Sequence, residues 1–163
     1  MSAQVTPLQI PVTNGVIRSF GHITSLNLAG FEMSGGFTAV KRSRTRSREM
    51  AMSNNVDAVA KTLGTNKYQF SITAYLDWWA VLMQKLVAIG AGYGDQPFTA
   101  MVSYGGVNLP TYTDVIINCT MDTTEADDQE GNKALTRTIE FNPTKIKFNG
   151  LEDSNDPLQG VPI

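Results

Sequence analysis

Alternation of apolar and polar residues is clearest in the middle of the chain, between Tyr68 and Leu76. Apolar side chains occupy every second position there, and polar or hydroxyl-bearing side chains lie between them. Because successive side chains of a β-strand point to opposite faces, this pattern predicts a strand with one face in the core. Shorter patterns of the same kind predict further strands at 16–28, 37–48, 98–104, 113–122 and 134–141.

The segment from Thr113 to Asp122 is predicted to form one continuous strand with an apolar and a more polar face. The apolar face contains Val115, Ile117, Cys119 and Met121, and the other face contains Ile116, Asn118, Thr120 and Asp122. Further on, Pro143 interrupts the last strand, and the apolar positions resume out of phase at Ile146. That change of phase indicates a bulge or a change of sheet.

The hydrophobic period changes from two to that of a helix at Asp77. We predict a helix from Trp78 to Ile89, with Asp77 as its N-cap and Gly90 ending it. Apolar residues surround almost the whole helix, and only Gln84 and Lys85 are polar. Such a helix should be buried, either inside its own subunit or partly against a neighbour.

Together these elements predict a mainly antiparallel β fold with one helix after the middle strand. A chain of 163 residues is long enough for one domain with a substantial core and marginal for two. We therefore expect a single domain spanning residues 1–163. It comprises a β core at 15–150 between an N-terminal arm at 1–14 and a C-terminal arm at 151–163.

The chain carries little charge for a folded protein, with 17% charged residues, a formal net charge of −2 and a pI near 5.3. A dedicated nucleic-acid-binding domain is usually basic as a whole, so the composition argues against that class. The N-terminus lacks the pattern of a signal peptide. The longest apolar run, Trp78 to Met83, is too short to span a bilayer, which requires about 20 residues.

Basic residues nevertheless concentrate in one strand-like segment, KRSRTRSRE. Its arginines recur at every second position, at Arg42, Arg44, Arg46 and Arg48. A period of two places them on one face of a strand, and we call them the arginine row. Carboxylates concentrate in a predicted hairpin tip, at Glu125, Asp127, Asp128 and Glu130, which we call the acidic group.

Several interpretations of the arginine row are compatible with the sequence. The row could be a disordered Arg/Ser segment that binds RNA, a stripe that follows phosphates, or a protein interface that meets the acidic group of another copy. A solvated edge strand, whose charge prevents aggregation, is the simplest alternative. Continuity with a strand pattern, and the presence of the acidic group in the same chain, favour the protein interface.

The sequence offers little catalytic chemistry. His22 is the only histidine and lies in a strand-like segment, where a general base is much less common than a structural histidine. The single cysteine, Cys119, shares the predicted apolar face and suits a buried thiol better than a nucleophile. One histidine and one cysteine are too few for a zinc site, and the spacing of the acidic group does not fit a calcium-binding loop. We therefore expect no enzymatic activity, no cofactor and no metal.

Four segments of the chain resemble, in order and spacing, the tail tube proteins of bacteriophages. They are GGFTAVKRSRTRSREMAMSN, LGTNKYQFSITAYLDWWAVL, GYGDQPFTAMVSY and FNPTKIKFNG, and the similarity extends over about residues 15–150. The resemblance implies an antiparallel β-barrel or sandwich with one flanking helix. It also implies hexameric rings that stack into a hollow tube through which DNA leaves the capsid, and related rings occur in contractile injection systems and type VI secretion.

In such a tube, one polar sheet face would line the channel. The candidate lumen-facing residues are Gln69, Ser71, Thr73, Asn118, Thr120, Asp122, Thr136, Thr138 and Glu140. This set contains two carboxylates and no base, so we expect a weakly acidic lining that repels phosphates and lets DNA slide. The long loop from Ser53 to Asn66 would then reach another subunit, with Val56, Val59 and Leu63 as its apolar contacts.

The resemblance also implies partners and location. We expect self-assembly, contacts with a sheath, a tape-measure protein or other tail proteins, double-stranded DNA in transit only, and no membrane insertion. The protein would lie in the virion tail after synthesis in the bacterial cytoplasm. Two alternatives remain, a nucleic-acid-binding module that uses the arginine row and a secreted ring of a contractile injection system.

Overall fold

A computed structural model of the chain describes residues 18–54, 56–58, 60–62, 64–105 and 110–152. Short 3₁₀ turns cover Phe20–His22 and Phe148–Gly150, and the helix α1 covers Leu76–Ile89. The strands are β1 (Ile23–Leu28), β2 (Phe31–Glu32), β3 (Phe37–Ser47), β4 (Met50–Ala51), β5 (Ala60–Lys61), β6 (Thr65–Tyr75), β7 (Phe98–Tyr104), β8 (Tyr112–Cys119), β9 (Met121–Ala126), β10 (Thr136–Phe141) and β11 (Lys145–Lys147).

Two antiparallel sheets form the body of the fold. One sheet has the order β11-β8-β7-β1-β2, and the other has the order β3-β6-β10-β9. Their inner faces share one hydrophobic core, in which Phe98 of the first sheet contacts Phe141 of the second with ring centroids 5.4 Å apart. The predicted fold class, mainly antiparallel β with one helix, is confirmed, and the architecture is a sandwich.

Strand β6 shows why the alternating pattern was informative. Phe70, Ile72 and Ala74 are all buried, and the side chains between them lie on the opposite, more polar face. Of the two possibilities near Pro143, a bulge or a change of sheet, the structure has a change of sheet, because β10 belongs to the four-stranded sheet and β11 to the five-stranded one.

Helix α1 begins at Leu76 with Tyr75 as its N-cap, so Asp77 lies in the first turn instead of capping it. Leu82 and Leu86 are completely buried, whereas Val87 remains about half exposed. The helix therefore presents one face to the core and leaves apolar residues on the other face in the isolated chain.

The predicted continuous strand at 113–122 is wrong. Asn118 adopts a left-handed backbone conformation with φ of 57°, and the chain leaves the five-stranded sheet after Cys119 and enters the four-stranded sheet at Met121. Because this irregularity adds a residue opposite β7, Ile116 and Cys119 are the buried residues, while Val115 lies on the outer face. The predicted apolar face is therefore correct at Cys119 and Met121 and wrong at Val115 and Ile117, because the extra residue changes the phase of the strand between them.

Candidate inter-subunit interface

The first three members of the arginine row, Arg42, Arg44 and Arg46, lie on β3, at one edge of the four-stranded sheet. Arg42 is opposite the buried Phe70 of β6, and Arg44 is opposite Tyr68. Directly opposed residues of antiparallel strands point to the same face of the sheet. The arginines at 42, 44 and 46 therefore continue the core-facing side of the sheet, and the polar face carries Lys41, Ser43 and Thr45 instead.

Arg42 forms an ion pair inside the subunit. Its Nε and Nη2 atoms both lie 2.6 Å from Oδ2 of Asp114, and the two side chains are only 12% and 9% exposed. The other carboxylate oxygen of Asp114 accepts a hydrogen bond of 2.9 Å from the backbone N–H of Asn149. The Arg42 guanidinium carbon also lies 5.2 Å from the ring centroid of Tyr104. Since Asp114 belongs to β8, this pair joins the two sheets.

Sequence reasoning did not identify Asp114. The available signal was a lone carboxylate in an otherwise uncharged strand, which an inward arginine from another strand can neutralise. The rest of the arginine row is arranged differently. Arg46 donates a hydrogen bond of 2.7 Å to the Asn66 side chain, Arg44 is half-buried, and Arg48 is exposed just beyond the end of β3.

The acidic group lies at the opposite edge of the same sheet. Glu125 belongs to the edge strand β9, and the other three carboxylates follow it in the connection to β10. Arg137 of β10 holds Asp128 with two hydrogen bonds, of 2.6 and 3.0 Å, while its guanidinium lies 5.8 Å from the Trp79 ring centroid. Glu125, Asp127 and Glu130 are exposed. Two strands separate β3 from β9, so the two charged edges face away from one another.

Most of the candidate lumen-facing residues share one face of the four-stranded sheet. Thr73 is opposite Thr138 with their hydroxyl oxygens 3.2 Å apart, and Ser71 is opposite Glu140. Gln69 of β6 and Thr136 of β10 lie on the same face, because they alternate with the core-facing residues of their strands. Asp122 lines a depression on this face together with Glu140.

Two of the candidates lie elsewhere. Asn118 is on β8 in the other sheet, and Thr120 lies in the link between the two sheets. The polar face also carries bases that the predicted set did not include. Lys41 and Lys67 line the same depression, of about 270 Å³, as Asp122 and Glu140. The sequence did contain a signal for this. Lys41 alternates with the arginine row on β3, and Lys67 alternates with Tyr68 on β6, so both lysines lie on the face opposite those residues.

The loop between β3 and β6 begins as a short hairpin, because β4 pairs with β5 and the Thr62 N–H donates a 2.8 Å hydrogen bond to the Glu49 carbonyl. We call residues 48–64 the arm, as distinct from the N-terminal and C-terminal arms named above. Met50, Met52 and Val56 are exposed along it. Val59 and Leu63, the other predicted contacts, lie outside the described residues. At the base of the arm, Gly64 has φ of 76°, and a Cβ there would overlap the Ser47 carbonyl oxygen.

His22 and Cys119, the two residues considered for catalysis, occupy different parts of the fold. The His22 ring accepts a 2.9 Å hydrogen bond from the Ser19 backbone N–H, and Cys119 is buried in the core. In the part of the chain that the structure describes, no group of three or more histidine, cysteine or acidic side chains is arranged to hold a metal ion. The described residues also include no helix long and apolar enough to cross a membrane.

Burial raises the pKa of the Cys119 thiol to about 12. Since only the thiolate is nucleophilic, we expect Cys119 in the folded protein to resist iodoacetamide at pH 8 and to react within minutes after unfolding in urea. Mass spectrometry of the alkylated protein would measure this difference. Rapid labelling of the folded protein, with its circular dichroism unchanged, would contradict the burial.

Comparison with known proteins supports the fold. No protein-family model matches the chain, and no curated protein sequence matches it. Among solved structures, the fold is similar to a chain in the cryo-EM structure of the anti-feeding prophage baseplate, which was six-fold symmetrised. The TM-score is 0.58 at 13% sequence identity, and the alignment covers 86% of this chain and 96% of that chain. At this identity the similarity establishes a common fold.

Proposed function

We propose that the chain is a structural subunit of a phage-tail-like particle, in which it forms hexameric rings that stack into a hollow tube. The observation that carries this proposal is the arrangement of charge on the four-stranded sheet. Its β3 edge carries Arg48 and the base of the arm, and its β9 edge carries the exposed carboxylates of the acidic group. The similarity to a chain of a six-fold symmetrised baseplate supports the same symmetry.

Two different, complementary edges favour a head-to-tail contact between copies. A contact of this kind repeats from each subunit to the next and closes into a ring when the rotation permits. Exposed ion pairs contribute little individually, at about 0–1 kcal/mol each, but complementary charge fixes register and excludes incorrect partners. In this arrangement Arg42 and Asp128 maintain the subunit, and Arg48, Glu125 and Glu130 recognise the neighbour.

The polar face of the four-stranded sheet would then line the channel. It combines hydroxyl groups, such as those of Ser71 and Thr73, with carboxylates and lysines in the same depression. Interspersed charges of both signs give a transported polymer no continuous basic track to bind. DNA would pass along this face in transit, and sheath, tape-measure or other tail proteins are the expected further partners.

Charge reversal at the β9 edge tests this proposal. We expect wild-type protein at high concentration and low salt to form rings or tubes in negative-stain micrographs. The E125K/E130K variant should remain a monomer in sedimentation velocity with an unchanged circular dichroism spectrum. D95K, a reversal of an exposed carboxylate in the turn after α1, is the matched control and should assemble normally. A wild-type protein that stays monomeric under all these conditions would contradict the proposal.

One observation favours a second candidate of the same structural class. The similar fold belongs to a chain of an anti-feeding prophage baseplate, so the second candidate is a ring protein of a contractile injection system. Purified particles distinguish the two candidates, since a virion tail remains connected to a DNA-filled capsid and an injection particle does not.

A further inference from the structure

The turn after β11 contains an Asn-Gly dipeptide, Asn149–Gly150, that has no role in the contacts described above. Both residues are exposed, and both have left-handed backbone angles, with φ of 54° at Asn149 and 70° at Gly150. Asn-Gly is the dipeptide most prone to deamidation, because glycine has no side chain to hinder the attack of its backbone nitrogen on the asparagine amide. The turn is therefore a candidate site of covalent modification.

Deamidation begins when the backbone nitrogen of Gly150 attacks Cγ of the Asn149 side chain. A new C–N bond closes a five-membered succinimide ring. The proton of the attacking nitrogen passes through water to the side-chain nitrogen, which leaves as ammonia. Water then adds to either carbonyl carbon of the ring and breaks its bond to the Gly150 nitrogen, which leaves aspartate or isoaspartate at position 149. Water is the only co-reactant, and both residues are exposed to it.

The folded turn does not permit this attack. Ring closure requires Cβ of Asn149 and the Gly150 nitrogen to lie on the same side of the Cα–C bond. Because the chirality of an L-residue offsets Cβ from the backbone nitrogen by about 120° around that bond, ψ must be near about −120° for the ring to close. In the structure ψ of Asn149 is 30°, which places Cβ and the Gly150 nitrogen on opposite sides of the bond.

Two hydrogen bonds hold the turn in this unreactive conformation. The Asn149 backbone N–H donates to Oδ1 of Asp114 over 2.9 Å, and the Leu151 N–H donates to the Phe148 carbonyl oxygen over 3.1 Å. The Asp114 carboxylate is itself fixed by its ion pair with Arg42. A hydrogen bond to a charged group is stronger than one between neutral groups, so Asp114 provides the stronger restraint.

We propose that Asn149 is a site of spontaneous deamidation, which the hydrogen bond from its N–H to Asp114 holds in an unreactive conformation. The turn reacts when it opens locally, without unfolding of the sheets, and both products disfavour its re-formation. Aspartate at position 149 adds a negative charge to the turn that Asp114 holds, and isoaspartate lengthens the backbone of the turn by one carbon. Deamidation thus leaves a permanent record of subunits in which the turn has left Asp114. The inference concerns the subunit alone and does not depend on its assembly.

The wild-type protein tests the protection directly. It is incubated at pH 8, folded in buffer or unfolded in guanidinium chloride, and tandem mass spectrometry measures conversion at Asn149 in the tryptic peptide that follows Lys147. Because the turn closes fast compared with deamidation, the folded rate equals the unfolded rate multiplied by the open fraction, and we expect it to be at least about tenfold lower. Guanidinium below the unfolding transition should leave the folded rate nearly unchanged, since opening of a short turn exposes little surface.

The R42M/D114L variant separates the hydrogen bond from the stability of the fold. It removes the acceptor for the Asn149 N–H while two apolar groups replace the ion pair, and its deamidation rate should exceed that of the folded wild type by about tenfold. G92A is the matched control, because it strains a left-handed glycine in the turn after α1 and keeps the acceptor. Its rate should stay within about twofold of the wild type. Circular dichroism verifies that both variants fold.

Three results would overturn the inference. Equal rates in the folded and unfolded wild type would show that the turn gives no protection. A folded rate that rises with guanidinium as steeply as global unfolding would remove local opening, and this measurement decides the matter if R42M/D114L does not fold. A wild-type rate in folded R42M/D114L would remove the role of Asp114.

Discussion

Replacement of Asp114 by alanine is expected to lower the free energy of unfolding by about 3–5 kcal/mol, the usual effect of removing one partner of a buried ion pair. The variant leaves the Arg42 guanidinium without its carboxylate and removes the acceptor for the Asn149 N–H. Urea unfolding followed by circular dichroism, with linear extrapolation to water, measures the change.

Matched variants separate the ion pair from general surface effects. R48A removes an exposed arginine of the same row and should change stability by no more than about 0.5 kcal/mol. D114N retains the size of the side chain but not its charge, and should lose stability in the same direction as D114A. The R42M/D114L variant replaces both charges with apolar groups and should recover much of the loss. A loss below about 1 kcal/mol for D114A would contradict the role assigned to the pair.

Strong local patterns in the sequence were sufficient to predict much of the fold. Alternation in β6 gave the correct buried face because the pairing of β6 with β10 is regular from Phe70 to Tyr75. The change from a period of two to a helical period located α1 within two residues of its observed start. In both cases the pattern of neighbouring residues was sufficient to predict the element, without knowledge of any long-range contact.

The partner of each charged side chain depended on long-range contacts that local patterns do not contain. The first three arginines of the row were correctly placed on a strand, but their face depends on the register with β6, where Arg42 is opposite Phe70. The pairing of Arg42 with Asp114, 72 positions further along the chain, follows only from the packing of two sheets. Likewise, the left-handed conformation of Asn118 shifted the phase of β8 before it, without a glycine to signal the change.

The polar face of the four-stranded sheet was likewise predicted only in part, because its composition depends on how the strands pair. The hydroxyl positions of β6 and β10 were found because both strands alternate clearly, and the sheet order places them side by side. Lys41 and Lys67 were missed because alternation within one strand does not show which faces of β3 and β6 coincide. Pairing β3 with β6 brings these lysines to the face that also carries Glu140.

Substitution of Gly64 by alanine is expected to open the arm and abolish assembly. A left-handed φ costs a residue with a Cβ about 1–2 kcal/mol, and the overlap with the Ser47 carbonyl adds about 1–3 kcal/mol. Because the β4 and β5 residues are all exposed, the arm has few contacts to resist this strain. Hydrogen exchange should show loss of protection at the Thr62 amide, while the β6 amides beside the core remain protected.

A second glycine isolates the effect of the overlap from that of the backbone angle. Gly92 has φ of 84°, but no atom lies within 4 Å of a Cβ built on it, so G92A should lose only about 1–2 kcal/mol and assemble normally. Equal protection of the arm in G64A and G92A would show that the Ser47 contact does not strain the arm base. Loss of arm protection in G64A with normal assembly would instead remove the arm from the contact between copies. The two measurements together therefore determine whether the arm is ordered by Gly64 and whether that order serves the assembly.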